Sequence, residues 1–312
     1  TRRQNLIYQT TRAFYGVILA EELVNVQEEA LRQAEANLDV VTKKYDAGSA
    51  SRFDKMRAEV NVANLKPAAI SARNSYQTAL TGLANILGLS NEERVQVDGS
   101  LFFVEDSMFD SLTLEAMQKK ALQNRPEAQA LSEQLYITQK GITTARSALL
   151  PKVFFQTDYS YMANFNDEEW ESLGQNDFSK GFTSTVSLQI PLFSGLKNSK
   201  QVQKAKLDYR IMEDTQKQVR DGINAEVEVA YNSFQEAKEK FDAASESVTL
   251  AEESYDLSTI MYEEGAGTQL DVWSAQLALT QSRMNYLSSL YEYQMARYEL
   301  RKVTGTLKGT LS

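Results

Sequence analysis

Asp54 and Asp271 close two decapeptides of the same design, YDAGSASRFD at residues 45–54 and YEEGAGTQLD at residues 262–271. Each opens on Tyr, places Gly three residues later and reaches Asp six residues after that. Carboxylate and phenol dominate the reactive groups available, because the 312-residue chain contains no His and no Cys. Without imidazole or thiol, Ser-His-Asp catalysis, thiolate nucleophiles, disulfide frameworks and most zinc sites are excluded. Acid–base work would fall to carboxylates, Lys or Tyr. No enzyme activity, cofactor or resident metal is expected. The net charge of −9 also argues against a nucleic-acid groove, which needs basic residues to displace counterions.

The same spacing fits a reversal between two helices. Gly48 and Gly265 can take the left-handed backbone that a tight turn needs, and small residues follow: Ser49, Ala50 and Ser51 in one copy, Ala266, Gly267 and Thr268 in the other. An Asp at the start of the returning helix complements the helix dipole.

The elements around these turns are long. From Leu196 to Glu264 the only Gly is Gly222 and there is no Pro, which allows one helix of about 69 residues, roughly 100 Å at the usual rise. Its apolar stripe runs Val227, Ala230, Phe234, Ala237, Phe241, Ala244, Val248, Ala251, Tyr255, Ser258, Tyr262, in steps of 3 and 4. That is the repeat of supercoiled helices. Beyond Gly265 the pattern resumes through Leu270, Trp273, Leu277, Thr280, Met284, Leu287, Tyr291, Gln294 and Tyr298 and ends near Gly305. Subtracting 217 gives a matching first hairpin: Ala13, Val17, Ala20, Val24 and onward to Tyr45, then Phe53, Met56, Val60 and Ala63. Roughly a quarter of residues 13–88 are identical to residues 230–305 without a gap, so the hairpin is duplicated.

Residues 1–88 therefore form a first helical hairpin with its tip at 45–52, and residues 194–305 a second with its tip at 262–269. Residues 89–125 read as an irregular connection carrying a short helix from Leu114 to Gln123, stopped by Asn124-Arg125-Pro126. A helix is expected over 126–150, with Pro126 in its first turn.

After Pro151 the period changes to 2. Val153, Phe155, Thr157, Tyr159 and Tyr161 share one face of the first run, opposite Lys152, Gln156, Asp158 and Ser160. Phe182, Ser184, Val186, Leu188, Ile190 and Leu192 alternate with Thr183, Thr185, Ser187 and Gln189 in the second. Residues 151–193 are thus expected to form a β-hairpin with a loop at 164–180, each strand long enough to cross a bilayer when tilted. Two strands cannot close, and an open edge is not tolerated in hydrocarbon, so a barrel must be shared between subunits. The chain opens on Thr1 with no apolar signal segment and is read as a processed form or a fragment. The 217-residue offset predicts a further helix and strand hairpin before it. Four strands per chain would make a trimer with twelve, within the known range.

At this point the chain resembles the TolC family of bacterial outer-membrane efflux proteins. The likeness is carried by ALLPKVFFQTDYSY into the first strand, SLQIPLFSGLKNSKQVQKAKLDY out of the second, the RPEAQA helix start and the paired tips. The resemblance implies a mainly α fold with a membrane β-hairpin. In it, long coiled-coil helical hairpins form a trimeric α-barrel of twelve helices, continued by a shared 12-stranded β-barrel. It implies a homotrimer in the outer membrane of a Gram-negative bacterium, touching outer-membrane lipid, with helices in the periplasm. Its partners would be a periplasmic adaptor and an inner-membrane transporter of RND or ABC type. The function implied is an exit duct for drugs or for type I secretion.

By the same resemblance, the adaptor grips the tips through Gly48, Ser49, Ala50, Ser51, Gly265, Ala266, Gly267 and Thr268. Asp271 faces the narrow entrance, three copies forming an acidic ring, while Ser274 stands where members often carry a second Asp. Tyr262 and Asp54 latch the closed state. Gly267 occupies the place of a basic latch residue, which loosens the latch unless Gln269 or Arg52 substitutes. A soluble coiled-coil scaffold would explain the heptads but not the membrane-length strands. A helical pore-forming toxin would explain the strands but not the duplication.

Overall fold

The structure, a computed structural model, describes residues 2–89, 96–104, 109, 112–163 and 178–307. In chain order its elements are α1 (Arg2–Asp46), α2 (Arg52–Leu87), α3 (Leu114–Asn124), α4 (Pro126–Ser147), β1 (Lys152–Ala163), β2 (Phe178–Gln189), α5 (Lys197–Glu263) and α6 (Gln269–Val303). α5 is one unbroken helix of 67 residues. Among the described residues, no helix is long and apolar enough to cross a membrane.

The chain divides into two bodies. The first comprises residues 1–129 and 220–312. Within it α1 lies close against α2 and α6. α5 buries Ile223, Val227, Ala230, Phe234, Ala237 and Phe241, following the alternating 3 and 4 step. The connection is pinned to this body by aromatic stacking. Phe103 stacks on Phe241 at 4.8 Å and on Tyr293 at 4.9 Å, and Phe109 meets Phe234 edge-on at 6.2 Å. The irregular backbone is satisfied from α6: the Tyr293 hydroxyl donates to Val104 O at 3.0 Å and Gln294 Nε2 to Phe102 O at 2.7 Å. Both carbonyls belong to irregular backbone, which lacks the partners that a helix or ladder would supply.

Of the stripe expected along the second returning arm, Thr280 and Gln294 are buried, but the residues nearest the tip are not, and the first arm behaves likewise near its tip. Phe53, Met56 and Val60 are 59%, 51% and 56% exposed, and their equivalents Leu270, Trp273 and Leu277 are also exposed. Ala58 and Val62 are buried instead, as are their equivalents Ala275 and Leu279, together with Val272 and Gln276. Each return helix therefore carries two apolar stripes. The narrow one, rich in Ala and Val, lets neighbouring helices of the same chain approach closely, and the bulky one is left facing outward.

The second body comprises residues 130–219 and contains the two-stranded antiparallel sheet. Its register pairs Val153 with Leu188, Phe155 with Val186, Thr157 with Ser184 and Tyr159 with Phe182, so the apolar positions of both strands share one face. Polar Gln156, Asp158 and Ser160 pair with Thr185, Thr183 and Gly181 on the other. β2 begins four residues earlier than the alternation of Phe182 onward indicates, and it ends at Gln189. The expected loop at 164–180 is therefore too long at its second end, since residues 178–180 are already paired. The remainder of that loop, 164–177, lies outside the described residues. Pro191 explains the early stop: it lacks the N–H a continuing ladder needs. Where α5 enters, Asn198 Nδ2 donates to Ala148 O at 3.1 Å.

Candidate functional site

The two tips fold by the same hydrogen bonds. In the first, Gly48 N donates to Tyr45 O at 2.9 Å, while Ser49 N and Ala50 N both reach Lys44 O at 2.8 and 3.1 Å. In the second, Gly265 N donates to Tyr262 O at 3.2 Å, while Ala266 N and Gly267 N both reach Met261 O at 2.8 and 2.9 Å. Every donor and acceptor of one set lies 217 residues from its counterpart. The left-handed residue is the glycine in both, with φ of 78° at Gly48 and 76° at Gly265. A Cβ is strained there, so glycine is required for the turn itself. The far ends agree as well: Gly88 and Gly305 are left-handed at φ 71° and 70° and end α2 and α6.

Asp54 and Asp271 start the returning helices as capping-box partners. Ser51 Oγ accepts from Asp54 N at 3.1 Å, and Asp54 Oδ2 accepts from Ser51 N at 3.1 Å and from its hydroxyl at 2.7 Å. Thr268 and Asp271 repeat this, at 3.3 Å for Asp271 N to Thr268 Oγ1 and 2.9 and 2.6 Å for the bonds returning to Asp271 Oδ2. Each box satisfies two backbone donors that a bare helix N-terminus leaves unpaired. The hydroxyl and amide of Thr268 hold the exposed Asp271 carboxyl below the usual carboxylate range. Ser274, one turn on, bends its hydroxyl back to Leu270 O at 2.7 Å.

The two tips also touch. Lys44 Nζ donates to Tyr262 O at 2.9 Å and reaches Glu263 O at 3.5 Å. The ammonium lies 4.2 Å from the Tyr262 ring centroid. Burial, and then the charge of Asp54, push the Tyr262 phenol above its ordinary value. No hydrogen bond joins Tyr262 to Asp54, whose Oδ2 is engaged by Ser51. Farther from the tips, the buried Gln276 joins the hairpins, its Nε2 donating to Ala30 O at 2.9 Å and its Oε1 accepting from Asn61 at 3.1 Å. Of the substitutes considered for the latch, Gln269 is buried with its side-chain oxygen unpartnered and Arg52 points into solvent. Lys44 and Gln276 are two inter-hairpin residues that sequence reasoning missed. Lys44 left a signal: its equivalent is Met261, so the duplicated tips differ there by a charge.

That difference is general. Residues 43–57 carry Lys43, Lys44, Arg52, Lys55 and Arg57 against Asp46 and Asp54, whereas residues 260–274 carry Glu263, Glu264 and Asp271 with no basic residue. The fold is duplicated and the charge is opposite. Elsewhere in the first body a cleft of about 670 Å³ is lined by Arg125, Glu127, Glu226 and Lys302 among others. Arg125 Nε donates to Glu127 Oε1 at 2.6 Å and its Nη1 to Glu226 Oε2 at 2.5 Å, which makes the cluster an ion-paired strut. Among the described residues no group of three or more acidic side chains could hold a metal ion.

Comparison with known proteins agrees with this architecture. The model of the outer membrane efflux protein family matches residues 1–89 and 117–306. The outer membrane protein TolC of Vibrio cholerae is 22% identical over 310 residues, covering 98% of this chain and 68% of that protein. The alkaline protease secretion protein AprF of Pseudomonas aeruginosa is 23% identical, covering 98% of this chain and 63% of its own length. The open-state crystal structure of the Neisseria gonorrhoeae MtrE outer membrane channel superposes with a TM-score of 0.74 at 20% identity, over 97% of this chain and 66% of that one. The chain thus spans between 60% and 68% of the curated relatives it matches first. Duplicated hairpins, a strand pair with one apolar face and a family match on both sides of the connection converge: the chain belongs to the outer membrane efflux protein family.

Proposed function

We propose that the chain is the subunit of a trimeric duct through the outer membrane of a Gram-negative bacterium, exporting small molecules or proteins, and that it is not an enzyme. The observation that carries this reading is the hairpin duplicated down to its tip hydrogen bonds beside a strand pair with one continuous apolar face. Val153, Phe155, Tyr159, Phe182, Val186 and Leu188 are each 60% exposed or more in the single chain, a surface that water disfavours and lipid accepts. Three chains, each completed to four strands, would close the 12-stranded barrel and remove its edges. The outward stripes at Phe53, Met56, Val60 and Leu270, Trp273, Leu277 supply the packing surface between subunits in the α-barrel.

The partners would be a periplasmic adaptor and an inner-membrane transporter of RND or ABC type. Docking is assigned to the tips at Gly48, Ser49, Ala50 and Ser51 and at Gly265, Ala266, Gly267 and Thr268. The opposite charges make the six docking knobs two kinds, three basic and three acidic, so a fitting adaptor meets each kind with the complementary charge. Asp271 supplies the acidic ring at the entrance, with Asp54 and Tyr262 beside it.

Ala50→Glu and Ala266→Glu, made together in the strain that carries the full protein, test the docking. Gly267 is avoided because a Cβ there would stand 3.1 Å from Met261 Cβ, a tight contact that would complicate the reading. Loss of export with trimers retained supports the assignment; export at the parent rate removes it.

A further inference from the structure

Gly267 leaves no side chain where the family resemblance implies a basic link, and the space for one is tight. A Cβ at Gly267 would meet Met261 Cβ at 3.1 Å and the backbone of Met261 and Tyr262 at 3.3 Å. The cation comes from the opposite hairpin. Lys44 Nζ sits on the last turn of α5, 2.9 Å from Tyr262 O and 3.5 Å from Glu263 O, with the Tyr262 ring 4.2 Å away. Carbonyls at a helix C-terminus carry the negative end of the dipole and lack intrahelical donors, and an aromatic face attracts an ammonium. One side chain meets both demands.

The contact is built on a rigid base. Lys44 O accepts Ser49 N at 2.8 Å, Ala50 N at 3.1 Å and Ser49 Oγ at 3.0 Å, so the residue that reaches across also anchors the reversal of its own tip. It is also one-directional. The equivalent residue on the second hairpin is Met261, which has no ammonium to return.

We propose that Lys44 is the positioning residue that ties the second tip to the first, replacing the basic link absent at Gly267. The tie itself stands on this geometry; its effect on gating rests on the reading of the chain as a duct. With Lys44 removed, the 262–269 tip swings away from the 45–52 tip while both hairpins stay folded.

The chain has no Cys, so once any Cys elsewhere in the full protein is replaced by Ser, cysteines placed at the exposed Ala47 and Ala266 take spin labels at those two sites alone. Measured in the full protein, with labelled subunits diluted among unlabelled ones, the label-to-label distance distribution should be narrow in the parent and in Lys44→Arg. In Lys44→Met, which copies Met261, it should broaden and shift to longer distance, with helix content unchanged. In planar bilayers the same variant should raise the open-to-closed ratio about four- to thirtyfold, the size expected for one helix-terminus cation combined with one cation–π contact. An unchanged distance distribution in Lys44→Met overturns the tie. A parent protein that forms no channel defeats the duct reading, and the distance measurement still decides Lys44.

Discussion

Asp271 illustrates how one carboxylate can serve two physical roles. Its Oδ2 closes the capping box on Thr268, and its charge stays exposed at the tip. Asp271→Asn separates the two, because the amide oxygen still accepts from Thr268 while the charge is gone. The expected result is reduced cation preference in single-channel recordings with trimers intact; unchanged selectivity would remove Asp271 from the entrance ring. The pH dependence has a definite sign. Thr268 holds the Asp271 carboxyl below its ordinary value of 3.8, so the charge persists as pH falls through that value and is lost only at lower pH. Cation preference should therefore survive acidification past the ordinary Asp range.

At the scale of elements, the packing of α5 decides more than its length. Phe234 is fully buried and touches Phe109 and Tyr293, so it joins the connection to both arms of the second hairpin. Phe234→Ala should destabilise the first body by about 3–5 kcal/mol, the usual result of emptying an aromatic site in a core. Guanidinium unfolding followed by helix ellipticity measures it; a loss below about 1 kcal/mol would mean that the aromatic cluster is not the clasp of the connection. The return helices carry the opposite lesson. Near the tips their bulky stripe is exposed in the single chain and their Ala–Val stripe faces the chain's own helices. An exposed stripe and a buried one can follow the same 3.5 repeat, and only the fold says which is which.

For the whole molecule, two phenols in α1 report on assembly of the first body. Burial and the neighbouring Glu299 carboxylate push Tyr8 up to about 12, and burial and the Tyr298 hydroxyl do the same for Tyr15. Both folded values lie above the ordinary 10.0. Their stabilising contribution is present below pH 10 and is lost as pH rises towards about 12, since the unfolded chain sheds those protons first. Ultraviolet titration of the native protein should show a class of Tyr that ionises late, and stability should fall across the same interval. A titration in which all 15 Tyr ionise together near pH 10 would contradict the packing of α1.

Some of this was determined by the sequence alone. Scarcity of Gly and Pro set the long helices, the alternation after Pro151 set the strand pair, and the repeat of Tyr, Gly and Asp at an offset of 217 set the two tips. These are local or periodic properties, and local stereochemistry acts on neighbours a few residues apart. The tertiary structure decided what depends on distant residues meeting. It turned the bulky stripes outward, brought Val104 to the Tyr293 hydroxyl and placed Lys44 on the carbonyls of Tyr262 and Glu263. Lys44 and Tyr262 are separated by 218 residues, and no periodicity encodes which of several basic side chains near a turn will reach a helix end on another hairpin. That is settled by where the two tips come to lie: Lys44 reaches the end of α5, and its equivalent on the second hairpin is Met261, which carries no charge to return.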